Sequence, residues 1–99
     1  MFLLLLSNFS RRFASTFVDL GGRMKGLNDN RQFKKSLALF DAHTEGKPNA
    51  FAVNQALKAC VELNDINRGI QIYQNLASSF VNNQFIQANL IQLYSRSFS

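Results

Sequence analysis

The amino-acid sequence predicts an all-α fold built from helix pairs, and three observations support this. Asn49-Ala50-Phe51 and Asn83-Gln84-Phe85 lie 34 positions apart, and each precedes an apolar segment with helical spacing. A period in the low thirties that encodes two helices is typical of a helical-repeat stack. No segment combines strand-like alternation with a strand's length, so no sheet is expected.

Five helices are expected. The first, Phe17–Asn28, has the weakest signal, because its three glycines each cost roughly 1 kcal/mol of helix propensity relative to alanine. The second, Phe33–Thr44, carries an apolar stripe and ends before Gly46 and Pro48, which are the usual stop signals.

The next three helices follow the repeated pattern. Phe51–Leu63 has one predicted buried face, made of Val53, Ala56, Leu57, Cys60 and Val61. Asn64-Asp65 turns the chain and caps Ile66–Ser79. That helix has a packing stripe of Ile66, Gly69, Ile70, Tyr73, Leu76 and Ala77. Gly69 within it suggests the close approach of a neighbouring backbone. Phe85–Arg96 forms the last helix.

The repeated segments resemble the pentatricopeptide repeat family in its plant-type long and short variants. The resemblance rests on the turn Lys47-Pro48-Asn49, the segments Leu57–Leu63 (LKACVEL) and Asp65–Tyr73, and the segment Asn89–Arg96 (NLIQLYSR). It covers about residues 17–98 and implies a right-handed α-α superhelix of about two and a half repeats. The expected division is a presequence at 1–16, a degenerate repeat at 17–49, a second repeat at 50–83 and the first helix of an incomplete repeat at 84–99.

The resemblance also implies a function, namely non-catalytic binding of single-stranded RNA during organellar RNA processing. That family reads about one base per repeat with side chains from successive first helices. By position, Asn54 and Asn83 would read a base edge, and Phe51 and Phe85 would sandwich bases. Two asparagines in these positions resemble the family's pyrimidine-favouring pair, leaning towards cytosine.

Further residues are assigned less completely. Asn49 holds the last position of the first repeat, and Gly21 its reading position, where there is no side chain to read a base. In the third repeat the reading position falls on Ala88, or on Asn89 if the register slips by one. The phosphate-contact candidates are Lys25, Lys34, Lys35 and Lys58. Each assignment has a structural alternative, because Asn49 and Asn83 are ordinary turn residues, Asn54 can cap a helix that begins late, and the lysines can simply face solvent.

Composition gives little support for catalysis. The net charge of +5 permits a polyanionic partner. Cys60 is the only cysteine and falls on a buried face, while His43 is the only histidine and lies near a helix end. No Gly-rich phosphate loop is present in the sequence. We therefore expect no enzyme activity, no metal and no cofactor.

Two alternative functions remain open at this point. One is a tetratricopeptide-like scaffold for protein partners, which would share the helix-pair period; the absence of tryptophan from the chain weighs against it. The other is a truncated product with no independent function.

Whatever the function, the last helix has no following partner helix in this sequence. It is therefore expected to expose Leu90, Leu93 and Tyr94 and to self-associate through Phe85–Tyr94.

The amino terminus predicts mitochondrial targeting. Met1–Thr16 is apolar, contains Arg11 and Arg12, is rich in serine and threonine, and has no acidic residue. A secretory signal is the weaker alternative, because Phe2–Leu6 is short and no basic residue precedes it. No membrane insertion is expected, because a membrane span would need about 20 apolar residues and Phe2–Leu6 supplies only five.

We predict that Met1–Thr16 directs a fused reporter to mitochondria and is removed near Phe13–Thr16. Replacing Arg11 and Arg12 with Glu should abolish import, because presequences depend on positive charge without acids. Fluorescence microscopy and fractionation of the reporter test this. Unchanged localisation of the double variant would contradict it.

Overall fold

The computed structural model describes residues 19–43, 46–80 and 82–97, and these residues form helices and turns without a strand. The helices are α1 (Leu20–Asp29), α2 (Phe33–Ala42), α3 (Ala50–Leu63), α4 (Ile66–Phe80) and α5 (Gln84–Ser97). The all-α prediction is confirmed for this part of the chain. The predicted presequence, residues 1–16, lies outside the described residues.

Side-chain caps explain where four of the helices begin. In each case a carboxylate or amide oxygen just before the helix accepts a backbone N–H of the first turn, which would otherwise lack a partner. The pairs are Asp19 with Gly22 at 2.8 Å, Asn49 with Ala52 at 2.9 Å, Asp65 with Arg68 at 3.2 Å, and Asn83 with Ile86 at 3.1 Å. Asn64 ends α3 in the left-handed conformation, at φ 57°, which asparagine tolerates better than most residues.

The helix α3 is the centre of the molecule. It packs against all four other helices, while α1 also contacts α2, and α4 also contacts α5. The predicted buried face of α3 is confirmed, and three further residues on this helix are buried as well: Ala52, Gln55 and Ala59. The first helices of the predicted pairs, α1, α3 and α5, therefore contact one another in series.

Gly69 allows α4 to pack closely against α5. A Cβ atom at this position would collide with the Leu93 side chain and would lie 3.5 Å from Cβ of Cys60. The sequence predicted a close approach here, but the neighbouring group is a side chain and not a backbone. Leu93 is fully buried, so it has little room to move away.

The predicted exposure of Leu90 and Leu93 is wrong. Leu90 is 5% exposed and Leu93 is fully buried, because α5 packs in the angle between α3 and α4 and turns these residues inward. Tyr94 is exposed, as expected, and so are Ile91 and Phe85 on other parts of the helix surface. Self-association through Phe85–Tyr94 stays a prediction, with Ile91 and Tyr94 as its apolar contacts.

We predict opposite effects for alanine at two glycines. Gly69→Ala should destabilise the protein, because overpacking costs about 1–3 kcal/mol and exceeds the helix-propensity gain. Gly26→Ala should stabilise it by up to about 1 kcal/mol, because no atom lies within 4 Å of the added Cβ. Urea unfolding followed by circular dichroism measures both. Equal midpoints for the two variants would contradict the packing described for Gly69.

Candidate nucleic-acid interface

One stripe of α3 is left uncovered by the surrounding helices. Phe51, Lys58 and Glu62 are exposed and Asn54 is half-buried, and their spacing places them on one side of the helix. Every other face of α3 is core. Three of the six predicted site residues, Phe51, Asn54 and Lys58, therefore lie together on a single surface, as a base-binding stripe requires.

Phe51 lies over the start of α1. A Cβ atom on Gly21 would come within 2.7 Å of the Phe51 ring and 3.0 Å of the Ala52 backbone nitrogen. The ring nevertheless remains 40% exposed. Gly21 thus leaves room for one side of the Phe51 ring, while part of this side chain stays open to solvent.

Phe85 is the most exposed of the phenylalanines described, at 62%. It lies two residues after the capping residue Asn83, just as Phe51 lies two residues after Asn49. Because α3 and α5 are neighbours, the two rings occupy corresponding positions at the same ends of adjacent helices.

Asn54 is held by a side chain from α5. The amide nitrogen of Asn89 donates to the side-chain oxygen of Asn54, and also to the Asn54 backbone carbonyl at 3.3 Å. Asn54 lies inside α3 and does not cap it. Its amide oxygen accepts this hydrogen bond, and its Nδ2 group is a donor that Asn54 can offer to a ligand.

A second amide contact joins α1 to α3. The amide nitrogen of Asn28 donates to the backbone carbonyl of Gln55 at 3.0 Å and to its side-chain oxygen at 2.9 Å. Both residues are buried, and the side-chain oxygen of Asn28 has no hydrogen-bond partner among the residues that the structure describes. Buried amide contacts of this kind fix the register of adjacent helices, because a shift would leave polar groups unpaired.

Asn49 and Asn83 are primarily capping residues, which was the structural alternative for both. The amide nitrogen of Asn49 also donates to Asp19 at 3.2 Å, so both ends of this amide are engaged. Asn83 uses its oxygen for the backbone N–H groups of Phe85 and Ile86. Asn54 lies five residues beyond Asn49, the cap of α3, which is about 8 Å along the helix axis. Asn83 is instead the cap of the neighbouring helix α5. Asn83 and Asn54 would therefore face different parts of a bound strand.

Counting from the caps corrects the predicted register of the first repeat. Gly21 lies two residues after its cap Asp19, and so corresponds to Phe51 and Phe85 and not to Asn54. The residue that corresponds to Asn54 is Met24, which is fully buried. α1 therefore offers no base-reading side chain at this position. In α5 the corresponding residue is Ala88, and Asn89 corresponds to Gln55.

The charges around the stripe are unevenly paired. Lys58 is exposed and has no ion pair in the described part of the chain. Lys25, by contrast, pairs with Asp29 at 2.8 Å. Arg96 donates to the Val61 carbonyl at 2.8 Å and lies 3.9 Å from Glu62. Arg96 thereby ties the end of α5 to the end of α3.

Sequence reasoning missed the contacts made by Asn89, Asn28 and Arg96. One of them has a visible signal, because Glu62 and Arg96 are 34 positions apart, whereas Asn89 contacts Asn54, which is 35 positions away. A residue at the repeat period from another is a candidate for the facing position on the next helix. The Asn28–Gln55 contact has no such spacing.

Cys60 is a core residue, as predicted. Burial, and secondarily the Asp65 carboxylate, raises the pKa of the Cys60 thiol from 9.0 to about 12. His43 lies half-buried just after α2. Among the residues that the structure describes, no group of three or more His, Cys, Asp or Glu side chains is placed to hold a metal ion.

The sequence matches no protein-family model, and neither the curated proteins nor the solved structures contain a match to it. Within the described ranges, no helix has both the length and the apolar character needed to cross a membrane.

We predict that Cys60 is unreactive in the folded protein. At pH 8 its alkylation by iodoacetamide should be at least about a hundred times slower than in urea, since each pKa unit changes the thiolate fraction about tenfold. The raised pKa means that the folded protein favours the neutral thiol over the thiolate. This contribution to the free energy of unfolding is present in full below pH 9 and is lost as the pH rises towards 12. Equal alkylation rates in the folded and unfolded chain would contradict the buried position.

Proposed function

We propose that this chain is a non-catalytic, single-stranded RNA-binding protein of the pentatricopeptide-repeat type that acts in mitochondrial RNA processing. The observation that carries the proposal is the exposed stripe of α3, where an aromatic ring, an amide donor and an unpaired lysine lie in line. The serial contacts of α1, α3 and α5 support a repeat stack, which we propose to be a right-handed superhelix.

The two exposed rings supply stacking surfaces. Phe51 and Phe85 present 40% and 62% of their surface at corresponding positions on adjacent helices. A base stacked on an aromatic ring contributes about 1–3 kcal/mol. Two such rings fit a strand of about two nucleotides that crosses from α3 to α5.

Asn54 supplies the base contact. Its oxygen accepts a hydrogen bond from Asn89, and we propose that its Nδ2 group donates to a hydrogen-bond acceptor on a base edge. Pyrimidines offer the O2 carbonyl as such an acceptor, and cytosine offers N3 as well. Purine edges carry acceptors as well, so the proposed pyrimidine preference rests on the resemblance to the repeat family and not on this donor alone. Asn54 is its main candidate because, unlike Asn49 and Asn83, it does not cap a helix.

The charge distribution favours a polyanion. Every carboxylate in the described residues is engaged in a helix cap or an ion pair: Asp19, Asp29, Asp41, Glu62 and Asp65. Lys58, one turn beyond Asn54, therefore remains available for a phosphate. Phosphate contacts of this kind make affinity fall with salt.

We predict weak binding to pyrimidine-rich single-stranded RNA and none to duplex RNA. Two stacked bases supply about 2–6 kcal/mol, while micromolar affinity needs about 8 kcal/mol, so the dissociation constant should lie in the high micromolar range or above. Phe51→Ala should weaken binding to every sequence. Asn54→Ala should reduce the preference for pyrimidines and leave the salt dependence intact. Fluorescence anisotropy with labelled oligonucleotides measures both effects.

Ile91→Ala is the matched control, because Ile91 is 66% exposed on α5 and lies outside the line of the two rings. It should bind RNA like the unmodified chain. The base-binding assignment fails if Phe51→Ala and Asn54→Ala also bind pyrimidine-rich RNA unchanged. Any remaining affinity would then come from the basic surface alone.

A further inference from the structure

A second surface, lined by residues of α1 and α2, lies outside the α3 stripe that is proposed to contact RNA. Between these two helices lies a groove of about 650 Å³, the α1–α2 groove. Its floor is apolar, made by half-buried Leu27 and Leu39 with Ala38 and Ala42. No atom lies within 4 Å of a Cβ built on Gly26, so this wall of the groove is open.

The two walls of the α1–α2 groove are basic. Arg23 from α1 and Lys35 from α2 are exposed on its opposite sides, and no carboxylate lines it among the described residues. Neither cation has an ion pair in the part of the chain that the structure describes. An apolar floor between two unpaired cations is complementary to a helix with an apolar stripe flanked by carboxylates.

Charge argues against an occupant from this chain. Residues 1–18 contain Arg11 and Arg12 and no acidic residue, and residues 66–99 contain no acidic residue either. The chain's own amino terminus and the exposed α5 face of a second copy thus have no carboxylates that could pair with Arg23 and Lys35. The carboxylates between these two segments are those already engaged in caps and ion pairs, together with Glu45.

We propose that the α1–α2 groove binds an acidic amphipathic helix of another protein. α1 and α2 each have 10 residues, about 15 Å, so the docked helix spans about three turns. Its leucine-type side chains lie on Leu27 and Leu39, and Asp or Glu side chains at its edges meet Arg23 and Lys35. This binding does not depend on RNA and uses a different face of the molecule.

The test uses the full chain and a synthetic helical peptide of about 14 residues, with leucines at helical spacing and glutamates on both sides of that stripe. Fluorescence anisotropy should show saturable binding. Combined Arg23→Glu and Lys35→Glu should weaken it at least about tenfold. Arg31→Glu with Lys47→Glu makes the same change in charge outside the groove and should leave the affinity within about threefold.

A steric variant separates the groove from general charge attraction. Gly26→Phe places a ring in the open space beside Leu27 without altering charge, and α1 tolerates it because nothing lies near the added Cβ. It should abolish peptide binding while the circular dichroism spectrum stays unchanged and the midpoint of thermal unfolding does not fall. RNA affinity should also stay unchanged. Because peptide binding and RNA binding are measured separately, a negative result for the groove is distinguishable from a negative result for the proposed RNA function.

Four results would overturn the proposal. They are no binding of the acidic peptide, equal binding of a peptide with lysines in place of the glutamates, equal losses for the groove and control charge variants, and full binding by Gly26→Phe. Competition by a peptide of residues 1–18 would assign the groove to the chain's own amino terminus instead. Displacement by single-stranded RNA would assign it to nucleic acid.

Discussion

The burial of α3 on nearly every side is the constraint on which the rest of the structure depends. Ala52, Ala56 and Ala59 are small enough for neighbouring helices to approach, and Leu57 and Val61 fill the space that remains. All four other helices pack against this one helix. The uncovered stripe of Phe51, Asn54 and Lys58 is therefore held by a helix that has little freedom to move, which suits a rigid binding surface.

Two amide contacts set the register of α3 against its neighbours. Asn28 holds Gln55 from the α1 side, and Asn89 holds Asn54 from the α5 side. The second contact also belongs to the candidate interface, because it occupies the Asn54 oxygen and leaves the nitrogen to a ligand. The proposed base preference is thus coupled to helix packing: a change at Asn89 would alter the chemistry that Asn54 presents without touching the ligand.

The sequence predicted the all-α class and all five helices because periodic apolar spacing, glycines, Pro48 and the Asn and Asp caps are local signals. Phe51 and Lys58, which the sequence analysis names separately as RNA-contact candidates, lie on one side of α3 in the structure. Sequence reasoning failed for Leu90 and Leu93, whose burial depends on how α5 enters the angle between α3 and α4. Asn89 was missed as a partner for the same reason, because the contact joins residues 35 positions apart and depends on tertiary register.

The central functional claim is that a single strand lies on the α3 stripe and not on the basic surface generally. Ultraviolet cross-linking of a pyrimidine-rich oligonucleotide that contains 4-thiouridine, followed by mass spectrometry of the cross-linked peptides, tests this most directly. Cross-links are expected at Phe51 and Phe85 and in the adjoining first turns of α3 and α5. Cross-links confined to Lys34 and Lys35 of α2, with none on α3 or α5, would contradict it.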